Sequence, residues 1–185
     1  MSHAVTQAVG SDAGVPRRGT FLLLAVGVAA CGAIAPPLDW ETVDQQIAES
    51  FPDVPHITTT DLASTLSDAD RPVLLLDARA PDEYAVSHLR GARLVSSADE
   101  AAEFVRATPA DALVVVYCSV GMRSAAMADQ LRTQGVPGVL NLEGSIFAWA
   151  NEGRPVYRGS TAVSEVHPYS DRLLGLLDER LWPER

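Results

Sequence analysis

The stretch Ala112–Ser124, with the sequence ALVVVYCSVGMRS, decides how this chain is interpreted. Its first six residues are apolar and rich in valine, which is typical of a strand covered on both faces of a parallel sheet. The strand ends at Cys118, and we expect a helix to begin at Ser124. Active sites in such sheets lie at the carboxyl ends of strands, so this turn is the first candidate for chemistry.

The sequence around Cys118 favours a reactive thiolate, because loop N–H groups and the positive end of a helix both stabilise an anion. Gly121 allows the backbone to curl so that its amides point inward. Arg123 adds a positive charge beside the sulfur and is suited to binding an oxyanion substrate. We therefore predict that Cys118 is the catalytic nucleophile. Its predicted binding loop consists of Ser119, Val120, Gly121, Met122 and Arg123.

Short apolar runs alternate with helical patterns along the body of the chain. Val73–Leu76 and Val139–Leu142 predict two further strands. Four stretches predict helices: Thr60–Leu66, Ser97–Ala107, Ser124–Gln134 and Ser145–Asn151. This alternation predicts an α/β fold with a mostly parallel sheet and right-handed crossovers.

Four groups of residues resemble the motifs of one family in order and spacing. They are Asp77-Ala78-Arg79 with Glu83-Tyr84; His88-Leu89-Arg90-Gly91-Ala92; Cys118-x-x-Gly121-x-Arg123-Ser124; and Leu142-Glu143-Gly144 with Trp149, Gly153 and Pro155-Val156. With them, residues 57–157 resemble a rhodanese-homology domain, the sulfurtransferase fold. Ser145 stands where the family has a second glycine, and we expect this departure to matter for a helix cap and not for chemistry.

The resemblance implies a three-layer α/β/α sandwich around a five-stranded parallel sheet. It also implies that Cys118 takes sulfane sulfur from a donor such as thiosulfate and holds it as a persulfide. The amides of residues 119–123 would surround that sulfur, and cyanide or a thiol would remove it. Such displacement at sulfur resembles thiol–disulfide exchange and needs no cofactor.

Three residues near the predicted site are expected to be structural. The resemblance implies that Asp77 and Arg79 tie loops together. A catalytic role for Asp77 is disfavoured, because a carboxylate beside the nucleophile would raise the thiol pKa and hinder attack. Ser124 opens the helix after the loop. His88 is expected to be a satisfied structural histidine.

Two rival functions stay open from the sequence. A cysteine phosphatase or arsenate reductase resembles His-Cys-x5-Arg, whereas here Tyr117 replaces the histidine and Cys118 to Arg123 spans one residue fewer. A membrane-tethered binding module with this fold is the non-enzymatic rival. Ser119 and Val120 are uncharged, which leaves the donor open among thiosulfate, a thiosulfonate, a small persulfide and a protein partner.

The composition argues against several classes of partner and site. The 185 residues carry 14 Lys+Arg against 24 Asp+Glu, a formal charge of -10, which argues against nucleic-acid binding. The two cysteines are too few for a disulfide framework, and the histidines do not cluster with them, so we predict no metal site. The absence of an obvious second domain favours a monomer.

Residues 1–36 are interpreted as a signal or anchor leader. Phe21–Ala35 is apolar and uncharged, follows Arg17-Arg18, and is shorter than the ~20 residues of a usual membrane span. Val28-Ala29-Ala30-Cys31 resembles a lipoprotein lipobox, which makes Cys31 a candidate for lipidation. A short uncleaved anchor and a buried core helix are the alternatives. Either membrane reading predicts an exported chain that faces the periplasm or cell exterior.

The flanking segments are predicted to pack on the domain, residues 56–157. In the arm, residues 37–55, Asp39 can cap a helix whose apolar face has no evident chemistry. Residues 158–185 are expected to form a strap with a short amphipathic helix that carries Leu173, Leu174, Leu177, Leu181 and Trp182. We expect no disulfide between Cys31 and Cys118.

Overall fold

The computed structural model describes residues 38–68 and 70–184. The predicted leader, with the candidate lipidation site Cys31, lies outside these residues. Within the described ranges, no helix combines the length and apolar character needed to cross a bilayer.

Five strands form one parallel sheet in the order β1-β5-β4-β2-β3. They are β1 (His56–Ile57), β2 (Val73–Asp77), β3 (Arg93–Leu94), β4 (Leu113–Tyr117) and β5 (Val139–Leu142). The central strand β4 pairs with both β2 and β5, so the turn after it lies at the middle of the carboxyl end of the sheet. The predicted five-stranded parallel sheet is confirmed.

Helices cover both faces of the sheet. They are α1 (Trp40–Ser50), α2 (Thr59–Ser67), α3 (Pro81–Val86), α4 (Ala98–Arg106), α5 (Met122–Thr133) and α6 (Ser145–Asn151). Successive strand side chains point to opposite faces, so Leu75 and Val115 pack in one buried cluster while Leu74 and Val114 pack in another. Two cores around one sheet confirm the three-layer sandwich.

Helix α5 begins at Met122, two residues before the predicted start at Ser124. The reason is Gly121, whose φ of +111° turns the backbone and whose carbonyl accepts the first helical hydrogen bond from Ala125 at 3.0 Å. Arg123 therefore lies in the first turn of the helix.

The N-terminal arm packs beside the turn after β4, at the carboxyl end of the sheet. Asp39 caps α1 by accepting a hydrogen bond from the Thr42 amide at 2.8 Å, and Val43 and Ile47 are buried. A Cβ added at Gly121 would lie 3.0 Å from Ile47 Cδ1. The arm therefore contacts the cysteine loop, and the sequence did not indicate this contact.

The C-terminal segment differs from its prediction in one respect. After an antiparallel hairpin, β6 (Val156–Arg158) and β7 (Thr161–Val163), it forms two 3₁₀ helices, Asp171–Leu176 and Glu179–Leu181, and no amphipathic α-helix. Gly175, a poor helix former, interrupts the leucine pattern. The segment still buries four leucines against the core: Leu173, Leu176, Leu177 and Leu181.

Candidate active site

Cys118 lies directly after the central strand, with only 1% of its surface exposed. The chain turns back at Gly121, whose amide donates a hydrogen bond to Cys118 Sγ over 3.2 Å. Glycine is favoured at position 121 because its φ is +111°, and an added Cβ would also press on Ile47 Cδ1 at 3.0 Å. The loop thus curls around the sulfur with an N–H group pointing at it.

The start of helix α6 holds the same loop from the other side. The amides of Ile146 and Phe147 donate to the carbonyls of Cys118 and Ser119 at 3.2 and 3.1 Å. Ser145 Oγ accepts from the Cys118 amide at 3.1 Å and donates to Leu142 O at 3.1 Å. Ser145, expected to matter for a helix cap and not for chemistry, thus also holds the backbone of the cysteine in place.

A carboxylate fixes the arginine of the loop. Glu83, 2% exposed, accepts two hydrogen bonds of 2.7 Å from the Arg123 guanidinium. Ser119 Oγ donates to Glu83 Oε1 at 2.9 Å and accepts from Arg123 Nη2 at 2.9 Å. Arg123, which the sequence predicted beside the sulfur as a charge suited to an oxyanion, is therefore held in place by Glu83 and Ser119.

The surroundings of Cys118 lower the pKa of its thiol. Burial alone raises that pKa, but hydrogen bonds from Ser124 and Gly121 together with the Arg123 charge outweigh it. The Ser124 hydroxyl has a single proton, and its Oγ donates it to Asn141 Oδ1 over 2.6 Å. The amides and the arginine are therefore the lasting sources of thiolate stabilisation.

Glu83 stays ionised for a similar reason. Burial raises the pKa of its carboxyl, and the hydrogen bonds from Arg123, Ala80 and Ser119 lower it by more. The Ala80 amide donates to Glu83 Oε2 at 2.9 Å and thereby ties this carboxylate to the start of helix α3. Glu83 thus links the loop after β2 to the cysteine loop.

Asp77 and Arg79 form a separate, fully enclosed pair. The two side chains are 0% exposed and 2.7 Å apart, and Arg79 Nη2 also donates to Ser87 O at 2.6 Å. Nearby, the Tyr117 hydroxyl accepts from the Leu89 amide at 3.0 Å, and His88 stacks on Tyr84 with ring centroids 4.2 Å apart. These contacts bind neighbouring loops to each other and present no group to a substrate.

Cys118 opens into a cavity of about 230 Å³. A larger cavity of about 690 Å³ lies beside α1 and includes neither Cys118 nor its loop. No group of three or more His, Cys, Asp or Glu side chains among the described residues is placed to hold a metal ion. The smaller cavity is therefore the candidate active site.

A sequence profile described as "Rhodanese-like domain" matches residues 58–152, about half of the chain. The chain belongs to the rhodanese-like family. The match contains the cysteine loop, Glu83 and helix α6, but neither the N-terminal arm nor the C-terminal strap. The family assignment agrees with the motif resemblance noted in the sequence.

Several relatives of this rhodanese-like chain are named sulfurtransferases, which supports a sulfurtransferase-type function. A sulfurtransferase of Allochromatium vinosum is 37% identical over 103 residues, or 56% of this chain and 94% of that protein. Thiosulfate sulfurtransferase GlpE of Pseudomonas aeruginosa is 33% identical over 91 residues, covering 49% of this chain and 78% of GlpE. The match to the probable adenylyltransferase/sulfurtransferase MoeZ of Mycobacterium tuberculosis, at 34% identity, spans 25% of MoeZ.

The crystal structure of a thiosulfate sulfurtransferase from Pseudomonas aeruginosa superposes with a TM-score of 0.56. The two proteins are 21% identical, and the superposition covers 76% of this chain and 26% of the other. At that identity the likeness concerns the fold, and it places this chain among rhodanese folds.

Two features of this rhodanese-like site were missed by sequence reasoning. Glu83 stood in a quoted motif, and its spacing after Asp77 and Arg79 was a signal, but nothing local indicated that it would meet Arg123 across 40 residues. The cavity wall from the arm and strap, which includes Val43 and Leu173, had no sequence signal beyond apolar periodicity.

Proposed function

We propose that the chain is a sulfurtransferase that carries sulfane sulfur on Cys118 as a persulfide. The observation that carries the proposal is the geometry of the loop, in which the Gly121 amide points at Sγ and the Cys118 thiol has a lowered pKa. A thiolate attacks sulfur far better than a thiol does. The names of the relatives support the same reaction class.

The reaction would proceed in two displacements. The Cys118 thiolate attacks the outer sulfur of the donor, the S–S bond of the donor breaks, and its former partner leaves with the bonding electrons. Thiosulfate would thus release sulfite. Cyanide or an acceptor thiolate then attacks the outer sulfur of the persulfide, leaves as thiocyanate or a new persulfide, and regenerates the Cys118 thiolate.

The protein residues have distinct roles in this scheme. Loop amides stabilise the anionic sulfur before and after transfer, as preorganised N–H donors do at other developing anions. Arg123 contributes a fixed positive charge, and Glu83 holds that charge in place through two hydrogen bonds of 2.7 Å. No described side chain is needed as a general base, because the thiol is already acidic.

Initial-rate kinetics on the full-length chain test the proposal. Thiocyanate formation is measured while donor and cyanide concentrations are varied in turn, with Cys118→Ser as the control. Two half-reactions through one covalent intermediate predict parallel double-reciprocal lines and no thiocyanate from the serine variant. Hydrolysis of an aryl phosphate that depends on Cys118, without sulfur transfer, would contradict the proposal in favour of a phosphatase.

We also propose that the chain is exported and held at a membrane by its leader. The support is the uncharged run Phe21–Ala35 after Arg17-Arg18, and the lipobox-like residues that end at Cys31. Fractionation of cells that make the chain and its Cys31→Ser variant tests this. The native chain should partition with membranes, and recovery of the native chain in the soluble cytoplasmic fraction would contradict it.

A further inference from the structure

The hydrogen bonds of Arg123 fix one edge of its guanidinium. Its two Nη atoms donate to Glu83 at 2.7 Å each, and Nη2 also donates to Ser119 Oγ at 2.9 Å. These bonds do not oppose a swing of the group about the line that joins them. Because the Arg123 side chain keeps 33% exposure, such a swing would carry its charge toward water. A contact of another kind is needed to stop it.

Tyr169, in the C-terminal strap, supplies that contact. The Arg123 Cζ lies over its ring, 4.5 Å from the ring centre, which is within the ~6 Å range of a cation–π attraction. Tyr169 is 50% exposed, and in the described part of the chain Leu66 is the other exposed large apolar residue. Burial in the core therefore does not explain where the ring lies, whereas its contact with Arg123 does.

The backbone of Tyr169 is strained. Its φ is +64°, in the left-handed region that a bulky residue rarely adopts. Within the described ranges, the other non-glycine residue with a positive φ is Ser145, whose hydroxyl contacts the Cys118 amide. Strained residues concentrate where function requires a fixed geometry. The Tyr169 amide donates to His167 Nδ1 at 3.0 Å, and this bond helps to hold the turn.

The place of the ring matters for the charge near Cys118. Tyr169, Arg123 and Cys118 line the same cavity of about 230 Å³, and Arg172 is the other charged residue in its wall. Burial raises the pKa of the Cys118 thiol, and the Arg123 charge is among the influences that bring it below its ordinary value. Water screens a charge that moves into solvent, so the effect of Arg123 depends on its being held in the wall.

We propose that Tyr169 is a positioning residue, whose ring holds the Arg123 guanidinium in the wall of the cavity that contains Cys118. The C-terminal strap, which lies outside the residues that match the family profile, then contributes directly to the site of sulfur transfer. Where it concerns the rate of transfer, the inference rests on the proposed function. Where it concerns the ionisation of Cys118, it is tested without any transfer of sulfur.

Two substitutions separate the ring of Tyr169 from the rest of the residue. Tyr169→Asn removes the ring and keeps a residue that tolerates a positive φ, so the turn should persist. Tyr169→Phe keeps the ring and removes only the hydroxyl. Leu66→Ala, at the other exposed large apolar residue, lies on α2 outside this cavity and is the matched control. Urea denaturation should give Tyr169→Asn a free energy of unfolding close to the native one, because relief of strain offsets the lost contact.

The thiolate absorbance of Cys118, titrated with pH in the full-length chain, is the first readout. Tyr169→Asn should raise the midpoint of this titration in the same direction as Arg123→Gln but by less, because the charge is loosened and not removed. Tyr169→Phe should recover most of the change, and Leu66→Ala should show none. A native midpoint in Tyr169→Asn would overturn the inference. An equal rise in Tyr169→Phe would also overturn it, since the ring is still present there.

Thiocyanate formation from thiosulfate and cyanide is the second readout. Below the thiolate midpoint, kcat/KM of Tyr169→Asn should fall by about three- to tenfold, as expected when a cation–π contact is lost. The loss should narrow as the pH rises above the midpoint, because the thiolate then forms without help from Arg123. An equal deficit at every pH would make the role of Tyr169 structural and overturn the inference. If the native chain transfers no sulfur from any donor, the proposed function fails, while the titration still decides whether Tyr169 positions Arg123.

Discussion

Two acid–arginine pairs lie at the carboxyl end of the sheet, and they differ in what surrounds them. Asp77 and Arg79 are 0% exposed and contact only the protein, whereas Arg123 keeps 33% exposure beside the almost fully buried Glu83. Both pairs have a closest contact of 2.7 Å. The difference teaches that the same kind of ion pair is a structural tie where it is enclosed, and that it leaves a charge facing the proposed reaction site where it borders a cavity.

The two arginines differ in their access to a ligand. Arg79 has no route to a ligand, and its guanidinium lies 5.7 Å from the centre of the Tyr117 ring, behind the strand end. Arg123 lies in the wall of the cavity that contains Cys118. Removal of the enclosed pair should therefore act on stability, and removal of the other on sulfur transfer.

The largest effect is expected from Asp77→Ala. It leaves the Arg79 charge buried without its partner, which typically costs about 3–5 kcal/mol. Urea denaturation should show this loss in the free energy of unfolding. Asp111→Ala, at an exposed aspartate, is the control and should change it by less than about 0.5 kcal/mol. A loss below about 1 kcal/mol would remove the distinction between the two pairs.

Glu83→Gln should reduce sulfur transfer more than it reduces stability. The amide cannot neutralise Arg123, so the guanidinium loses its fixed position and kcat/KM for sulfur transfer should fall by about ten- to a hundredfold. The free energy of unfolding should fall by only about 1–3 kcal/mol. Glu103→Gln, on the exposed side of α4, is the matched control. Full activity in Glu83→Gln would show that Arg123 needs no carboxylate to act.

The sequence predicted the framework of the fold well, because it depends on local patterns. The apolar runs that end at Asp77 and Tyr117 marked their strands directly, and Gly121 with Cys118 marked the loop. The contacts that hold the loop were not predictable, since Glu83 approaches Arg123 from another crossover. Ser145 was noticed only as a missing glycine; its bond to the Cys118 amide depends on how α6 packs.

Titration of Cys118 gives a finer test of the exposed pair. The lowered pKa of its thiol predicts a thiolate midpoint below that of an ordinary cysteine. Arg123→Gln removes a positive charge and should raise that midpoint, whereas Arg132→Gln, on the exposed surface of the same helix, should not. The ultraviolet absorbance of the thiolate, with Cys118→Ser subtracted, measures it. An unchanged midpoint in Arg123→Gln would contradict the role of its charge.

The smallest effect concerns stability in acid. The pKa of Glu83 is lower in the folded than in the unfolded chain, so its contribution is present above the unfolded pKa of about 4.3 and is lost as the pH falls. Between about pH 5 and pH 3 the native chain should lose more free energy of unfolding than Glu83→Gln does. Parallel losses in the two proteins would mean that Glu83 gains nothing from its partners.

The central claim is that the loop after β4 makes Cys118 a sulfur carrier, and intact mass spectrometry tests it most directly. The full-length chain is reduced, mixed with thiosulfate or a thiosulfonate, and weighed before and after cyanide. We predict a gain of one sulfur atom that cyanide removes and that Cys118→Ser never shows. A chain that keeps a bare Cys118 with every donor would contradict the claim and leave a rhodanese-like binding module in its place.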